Sequence, residues 1–105
     1  METVARTKAE IIERIQQAEA ELRALGVKRL ALFGSFVRGE PHPESDVDLL
    51  VEFEPKQKTF DHFMTLSFLL EGLLQRPVDL VTTGALSPFI GPHILAEAED
   101  VVRAA

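Results

Sequence analysis

Three short apolar runs constrain the fold of this chain more than any other feature of its sequence. They cover residues 29–33, 46–53 and 78–81, and each is bounded by turn-forming residues and rich in the apolar side chains typical of buried strands. The second and third runs are separated by residues 54–77, which leaves room for a whole helix. Two parallel neighbouring strands require a connection of that length. The sequence therefore predicts that the second and third strands are parallel, whereas the shorter loop after the first strand permits an antiparallel pair.

Amphipathic segments flank these runs and predict helices. Thr7 and Glu10 have the spacing of a capping box, and apolar residues recur after them at helical spacing, which predicts a helix over about residues 8–25. A second helix is expected over about residues 59–74, because its first residue suits an N-cap and Pro77 prevents its continuation.

The last segment predicts a further helix and an edge strand. Ser87 and Pro88 are typical of a helix start, the Gly-Pro pair at residues 91–92 is expected to interrupt the helix, and the helix is expected to resume over residues 93–99. Residues 100–102 predict a short edge strand. The predicted fold class is thus α/β (α+β), a small mixed sheet of three or four strands flanked by helices.

Charge balance and composition exclude several classes of function. Seventeen acidic residues against eleven basic ones give a formal net charge of −6, the wrong sign for holding nucleic acid by counterion release, so direct nucleic-acid binding is not expected. No apolar run reaches the roughly 18 residues that a membrane helix needs, and the first residues lack a signal-peptide pattern, so we expect a cytoplasmic protein without a membrane partner. Without cysteine, the chain has no disulfide, thiolate metal site or cysteine nucleophile.

Two aspartates begin the second apolar run with a spacing that predicts a metal site. Successive side chains of a strand point to opposite faces, so Asp46 and Asp48 share one face. Adjacent carboxylates repel each other unless a cation lies between them, and hard oxygen ligands suit magnesium or manganese. The alternative is that Asp46 caps a turn and Asp48 lies on a solvated strand face.

A third carboxylate lies in the third apolar run. Asp79 stands between Val78 and Leu80, in a segment too apolar for a loop. If the third strand is the parallel neighbour of the second, Asp79 can face the same side as Asp46 and Asp48 and complete a site of three carboxylates. The alternative is an edge-strand residue that faces water.

A glycine-serine pair follows the first strand at a position suited to phosphate. There, backbone N–H groups and a helix dipole can hold phosphate oxygens, and Ser35 adds a hydroxyl beside Gly34. Arg38, on the same turn, can pair with phosphate oxygens in a forked geometry. The alternatives are an ordinary turn and a solvated surface charge.

The combined motifs resemble the minimal nucleotidyltransferases, the MNT branch of the polymerase-beta-like nucleotidyltransferase superfamily. The matching segments are residues 32–39 (LFGSFVRG), 45–51 (SDVDLLV) and 78–81 (VDLV). The resemblance implies one nucleotidyltransferase domain over residues 1–105, with a catalytic core at about 27–102 after the first helix.

This resemblance also implies roles for the site residues. Gly34 and Ser35 would bind the triphosphate, Asp46 and Asp48 would bind metal, and Asp79 would complete the metal site and help to activate the acceptor hydroxyl. An acceptor hydroxyl would attack the alpha-phosphorus of ATP while two magnesium (or manganese) ions stabilise the attacking and leaving oxygens. Arg38 would help to hold the departing pyrophosphate.

Small members of this family resemble the antitoxin of HEPN/MNT toxin-antitoxin pairs. The implied activity is transfer of AMP to a hydroxyl, expected to be a tyrosine, of a helical HEPN ribonuclease partner. Two alternatives stay open: a subunit that modifies a small molecule such as an aminoglycoside, and an antitoxin that acts by binding alone. The three histidines are expected to be surface residues, and Phe36 is the best candidate for contact with nucleotide or partner.

Overall fold

The computed structural model describes residues 4–38, 46–89 and 91–103, which form a sheet flanked by helices. In chain order the elements are α1 (Lys8–Gln17), α2 (Glu19–Ala24), β1 (Val27–Phe33), α3 (Ser35–Arg38), β2 (Val47–Phe53), α4 (Phe60–Leu74), β3 (Val78–Thr82), a 3-10 helix (Thr83–Ala85), α5 (Gly91–Glu97) and β4 (Glu99–Val102).

The four strands form one mixed sheet in the order β3-β2-β1-β4. Strand β1 is antiparallel to both of its neighbours, β2 and β4, whereas β2 and β3 are parallel. The parallel pair follows from the helical connection α4, which returns the chain to the edge where β2 began. Both predicted pairings and the predicted edge strand at the C-terminal end are confirmed.

The sheet buries apolar side chains on both faces, with the larger core on one of them. Helices α1, α2 and α4 contribute to this larger core, and its largest fully buried members include Ile11, Ile15, Leu22, Leu30, Leu32, Leu49, Leu66, Leu70 and Leu74. On the opposite face Ala31, Phe33 and Leu50 form a smaller cluster, against which Leu86 and Ile94 pack. Because strand residues alternate between faces, Asp48 lies on the face of the smaller cluster.

The N-terminal helix predicted over about residues 8–25 is in fact two helices that meet at Ala18. The Ala18 N–H donates to the carbonyl of Ile15, three residues back, at 3.0 Å, and Ala18 has φ −100° and ψ 15°. This one residue tightens the helix locally, and no glycine or proline marks it in the sequence. The helix predicted after Thr59 is confirmed, with the Thr59 hydroxyl accepting the His62 N–H at 3.1 Å.

The predicted start and interruption of the last helix are wrong. Helix α5 begins at Gly91 and contains Pro92 in its first turn, where a helix needs no N–H from the proline. The Ser87 hydroxyl accepts the Phe89 N–H at 3.0 Å in a local turn, and the helix ends at Glu97, before β4. No helix in the described part of the chain is long and apolar enough to cross a membrane.

Candidate active site

The turn between β1 and α3 is built on Gly34, and we call residues 34–38 the glycine turn. Gly34 has φ +80°, a conformation that favours glycine, and its carbonyl accepts the N–H groups of Val37 and Arg38, each at 3.1 Å. A Cβ at Gly34 would lie 2.0 Å from Oδ2 of Asp48 and 2.9 Å from its Cγ. Only glycine therefore allows this backbone to pass so close to the carboxylate. The predicted turn leading into a short helix is confirmed.

Asp48 lies at the centre of the predicted acidic group. In the sheet it is paired with Phe33 of β1 on one side and with Asp79 of β3 on the other. Asp48 is half-buried, whereas Asp46 and Asp79 are exposed. Burial, followed by the charges of Asp79 and Asp46, raises the pKa of Asp48 to about 6, against the opposing effect of Arg38. The charges of the three aspartates thus interact where strands β2 and β3 begin.

The chemistry of these donors fits a hard divalent cation. Asp46, Asp48 and Asp79 offer only carboxylate oxygens, the ligands that magnesium and manganese prefer. Within residues 4–38, 46–89 and 91–103, however, no three histidine, aspartate or glutamate side chains are grouped closely enough to hold a metal ion. The predicted convergence of three carboxylates on one ion therefore stays a prediction. A cation would offset both the burial and the repulsion from Asp79 and Asp46 that raise the pKa of Asp48.

A fourth carboxylate, which the sequence did not single out, contacts the glycine turn. The backbone N–H of Gly34 donates to Oε1 of Glu97 at 2.7 Å. Nη1 of Arg38 donates to both carboxylate oxygens of Glu97, at 3.2 and 3.3 Å. The two donors predicted to bind phosphate, the Gly34 backbone and the Arg38 side chain, are thus already shown to bind an anionic group.

Asp48 and the two end residues of the glycine turn, Gly34 and Arg38, face an open cavity of about 330 Å³. Its lining consists of Phe33, Gly34, Arg38, Asp48, His93, Ile94 and Glu97. Ser35 lies half-buried at the start of α3, outside this lining. His93, predicted as an ordinary surface residue, is exposed but lies at the cavity. The spacing of His93 and Glu97, four residues apart on one helix, was the only sequence signal that they share a face.

Phe36 does not face the cavity, so the expectation that it contacts nucleotide or partner is wrong. It is 2% exposed and belongs to the larger core. The guanidinium carbon of Arg76 lies 5.1 Å from the centroid of its ring. The short helix α3 turns this side chain away from the carboxylates and into the protein. Gly39 and Ser45, which also belong to the matching motifs, lie outside the described residues.

Comparisons with known proteins agree with this geometry. The model of the nucleotidyltransferase domain family matches residues 10–101. Protein adenylyltransferase MntA of Thermococcus cleftensis is 43% identical over 90 residues, which cover 84% of this chain and 90% of that protein. A solved structure described as a candidate minimal nucleotidyltransferase is 35% identical, with a TM-score of 0.69 over 84% of this chain and 93% of that one.

A more distant structural neighbour is a complex of two proteins. It contains a tri-AMPylated HEPN toxin of Shewanella oneidensis with an MNT antitoxin, and the matched chain has a TM-score of 0.57 at 19% identity, over 85% of this chain and 72% of that one. At this identity the likeness shows the fold alone. The family match and the relative at 43% identity, each over most of the chain, show that this protein belongs to the nucleotidyltransferase domain family and confirm its resemblance to the minimal nucleotidyltransferases.

Proposed function

We propose that this protein transfers AMP from ATP to a hydroxyl group of a partner protein, and that the partner is a HEPN-type ribonuclease toxin. The observation that carries the proposal is the contact of the glycine turn with Asp48. A backbone suited to phosphate passes within van der Waals distance of the central carboxylate of a predicted metal site. Phosphoryl transfer needs these two elements side by side, because it depends on positioning and charge stabilisation.

The donor side of the reaction uses the glycine turn. Gly34 would let the triphosphate approach the backbone closely, the N–H and hydroxyl of Ser35 would hold it, and Arg38 would pair with the oxygens of the departing pyrophosphate. The bonds from Arg38 to the Glu97 carboxylate support this assignment, because they show that its guanidinium can hold oxygen anions.

The acceptor side uses the three aspartates. Asp46, Asp48 and Asp79 would hold magnesium, or manganese, as two ions when nucleotide is bound, and the metal would supply charge neutralisation for the phosphates. The acceptor oxygen forms a bond to the alpha-phosphorus, the bond from that phosphorus to the bridging oxygen breaks, and pyrophosphate leaves. Asp79 would receive the proton of the acceptor hydroxyl. Its exposed position on the edge strand β3 leaves it open to a macromolecular acceptor.

The acceptor must come from another molecule if it is a tyrosine. The chain contains no tyrosine. The relative from Thermococcus cleftensis is named a protein adenylyltransferase, and the structural neighbour contains an AMPylated HEPN toxin. Both support a protein acceptor over a small molecule.

The proposal is tested by incubating the protein with labelled ATP, magnesium and a candidate HEPN-type partner protein. The wild type should label the partner, and the double variant Asp46→Asn and Asp48→Asn should not. Glu52→Gln is a matched control, because Glu52 lies on β2 and pairs with Lys28 at 3.7 Å, away from the glycine turn. Label on an aminoglycoside alone, or neutralisation of the toxin by the double variant without label, would overturn the proposal.

A further inference from the structure

We infer that Glu97 is a positioning residue, which fixes the glycine turn at both ends and presents Arg38 to the nucleotide. The inference rests on the proposed function, because it assigns a role to Glu97 in the ATP site described there. Glu97 itself need not touch the nucleotide. It would act through the backbone of Gly34 and the side chain of Arg38.

The contacts of Glu97 span the whole glycine turn. One carboxylate bonds the first residue of the turn, through the Gly34 N–H at 2.7 Å, and the last residue, through Nη1 of Arg38 at 3.2 and 3.3 Å. A single side chain from α5 thereby links the two ends of a turn that lies 59 to 63 residues earlier in the chain.

The Gly34 N–H needs the Glu97 carboxylate as its acceptor, because the backbone pairing of the sheet ends before Gly34. The pairing of β1 with β4 extends only to Leu32 and Glu99, so Gly34 lies beyond the last backbone pair on that side. Gly34 is buried, and a buried N–H without an acceptor destabilises the fold. Glu97 precedes the paired residue Glu99 by two positions, so the sheet itself holds its backbone beside the turn.

The ion pair with Glu97 orders the flexible side chain of Arg38 before nucleotide binds. The Arg38 side chain is 55% exposed, whereas that of Glu97 is 30% exposed. Ordering a long exposed side chain costs conformational entropy, and a contact that orders it in the free protein lowers the cost of binding. The charge of Glu97 by itself repels phosphate. Any benefit of Glu97 to ATP binding must therefore pass through Arg38. A substitution that removes the charge of Glu97 should weaken ATP binding if Glu97 positions Arg38, and should strengthen ATP binding if Glu97 acts only by repulsion.

Glu97→Gln separates the two contacts of this residue. Glutamine keeps an oxygen for the Gly34 N–H but loses the charge that holds Arg38. We expect the affinity for ATP with magnesium to weaken by about fivefold, the factor that a partly exposed ion pair corresponds to, while hydrogen exchange at the Gly34 amide stays slow. Glu97→Ala should weaken binding and also accelerate that exchange.

The matched control is Glu99→Gln, which removes a negative charge two residues away. Glu99 pairs with Lys8 at 2.6 Å and does not contact the glycine turn. We expect its ATP affinity to equal that of the wild type.

A double-mutant cycle with Arg38→Ala completes the test. If Glu97 acts through Arg38, Glu97→Gln should cause no further loss of affinity in the Arg38→Ala protein. Equal or tighter ATP binding by Glu97→Gln, or the same loss in both backgrounds, would overturn the inference. A wild type that binds no ATP would instead overturn the proposed function. If the wild type binds no ATP, hydrogen exchange at the Gly34 amide still tests the inference. Exchange in Glu97→Ala as slow as in the wild type would overturn it, and faster exchange would support the role of Glu97 in fixing the glycine turn.

Discussion

The backbone of Gly34 and the carboxylate of Asp48 are in such close contact that any side chain at position 34 would collide with the carboxylate. A Cβ at position 34 would lie 2.0 Å from Oδ2 of Asp48, and the φ of +80° at Gly34 also disfavours any side chain. The predicted phosphate-binding and metal-binding elements are therefore one structural unit rather than two adjacent ones.

Gly34→Ala should destabilise the protein and abolish ATP binding. The cost of a non-glycine residue in this conformation is about 1–3 kcal/mol in the free energy of unfolding, and Asp48 must also change its rotamer to avoid the new methyl group. Denaturant unfolding and ATP titration measure the two effects.

Two further variants test whether the contact with Asp48 causes the loss of stability in Gly34→Ala. Gly72→Ala, in α4, meets no atom within 4 Å and should stabilise the protein by about 0.5–1 kcal/mol. Adding Asp48→Ala to Gly34→Ala removes the carboxylate and should restore part of the lost stability. A double variant less stable than Gly34→Ala alone would show that the clash is not what destabilises the turn.

Asp48→Asn should stabilise the protein at neutral pH. Burial and the neighbouring carboxylates raise the pKa of Asp48 from 3.8 to about 6 in the folded state. The folded state then binds this proton more tightly than the unfolded state does, so the wild type loses stability as the pH rises from about 4 to about 6. Above pH 6 asparagine avoids that loss. We expect a gain of about 1 kcal/mol, less than the full pKa shift would give, because water reaches the half-buried carboxylate.

The pH dependence of this gain distinguishes it from a general effect on packing. Unfolding curves of the wild type and Asp48→Asn should differ most above pH 6 and converge near pH 4. Glu52→Gln, on the same strand, should not reproduce the pattern. A gain of equal size at both pH values would contradict the electrostatic explanation.

Removal of divalent ions should weaken nucleotide binding. The negative charges of Asp46, Asp48 and Asp79 repel a triphosphate without metal. ATP is therefore expected to bind as its metal complex. EDTA should raise the dissociation constant for ATP by about tenfold or more, since metal ions supply several kcal/mol of charge stabilisation in such sites. Unchanged affinity after removal of all divalent ions would show that the proposed metal site is wrong.

The sequence could predict the parts of the site that depend on local patterns. Gly34 and Ser35 directly follow an apolar strand, and the alternation of side chains in β2 places Asp48 on one face whatever the rest of the fold does. The helix-length connection before β3 predicted the parallel pairing that brings Asp79 beside Asp48.

Contacts between residues far apart in the chain could not be predicted from local sequence patterns. Glu97 bonds Gly34 across 63 residues, and no period or motif in α5 marks it as a partner of the turn. The break at Ala18 carries no glycine or proline that would mark it, and the prediction took Pro92 as an interruption although a proline also suits the first turn of a helix. Phe36 was misplaced because a four-residue helix is too short to show which side faces the core.

A structure with magnesium and a non-hydrolysable ATP analogue tests the central claim most directly. We predict triphosphate oxygens packed against Gly34 and bonded to Ser35, and a metal ion about 2.0–2.1 Å from oxygens of Asp46, Asp48 and Asp79. Nucleotide bound elsewhere, or aspartate oxygens that remain too far apart to share an ion, would contradict the account.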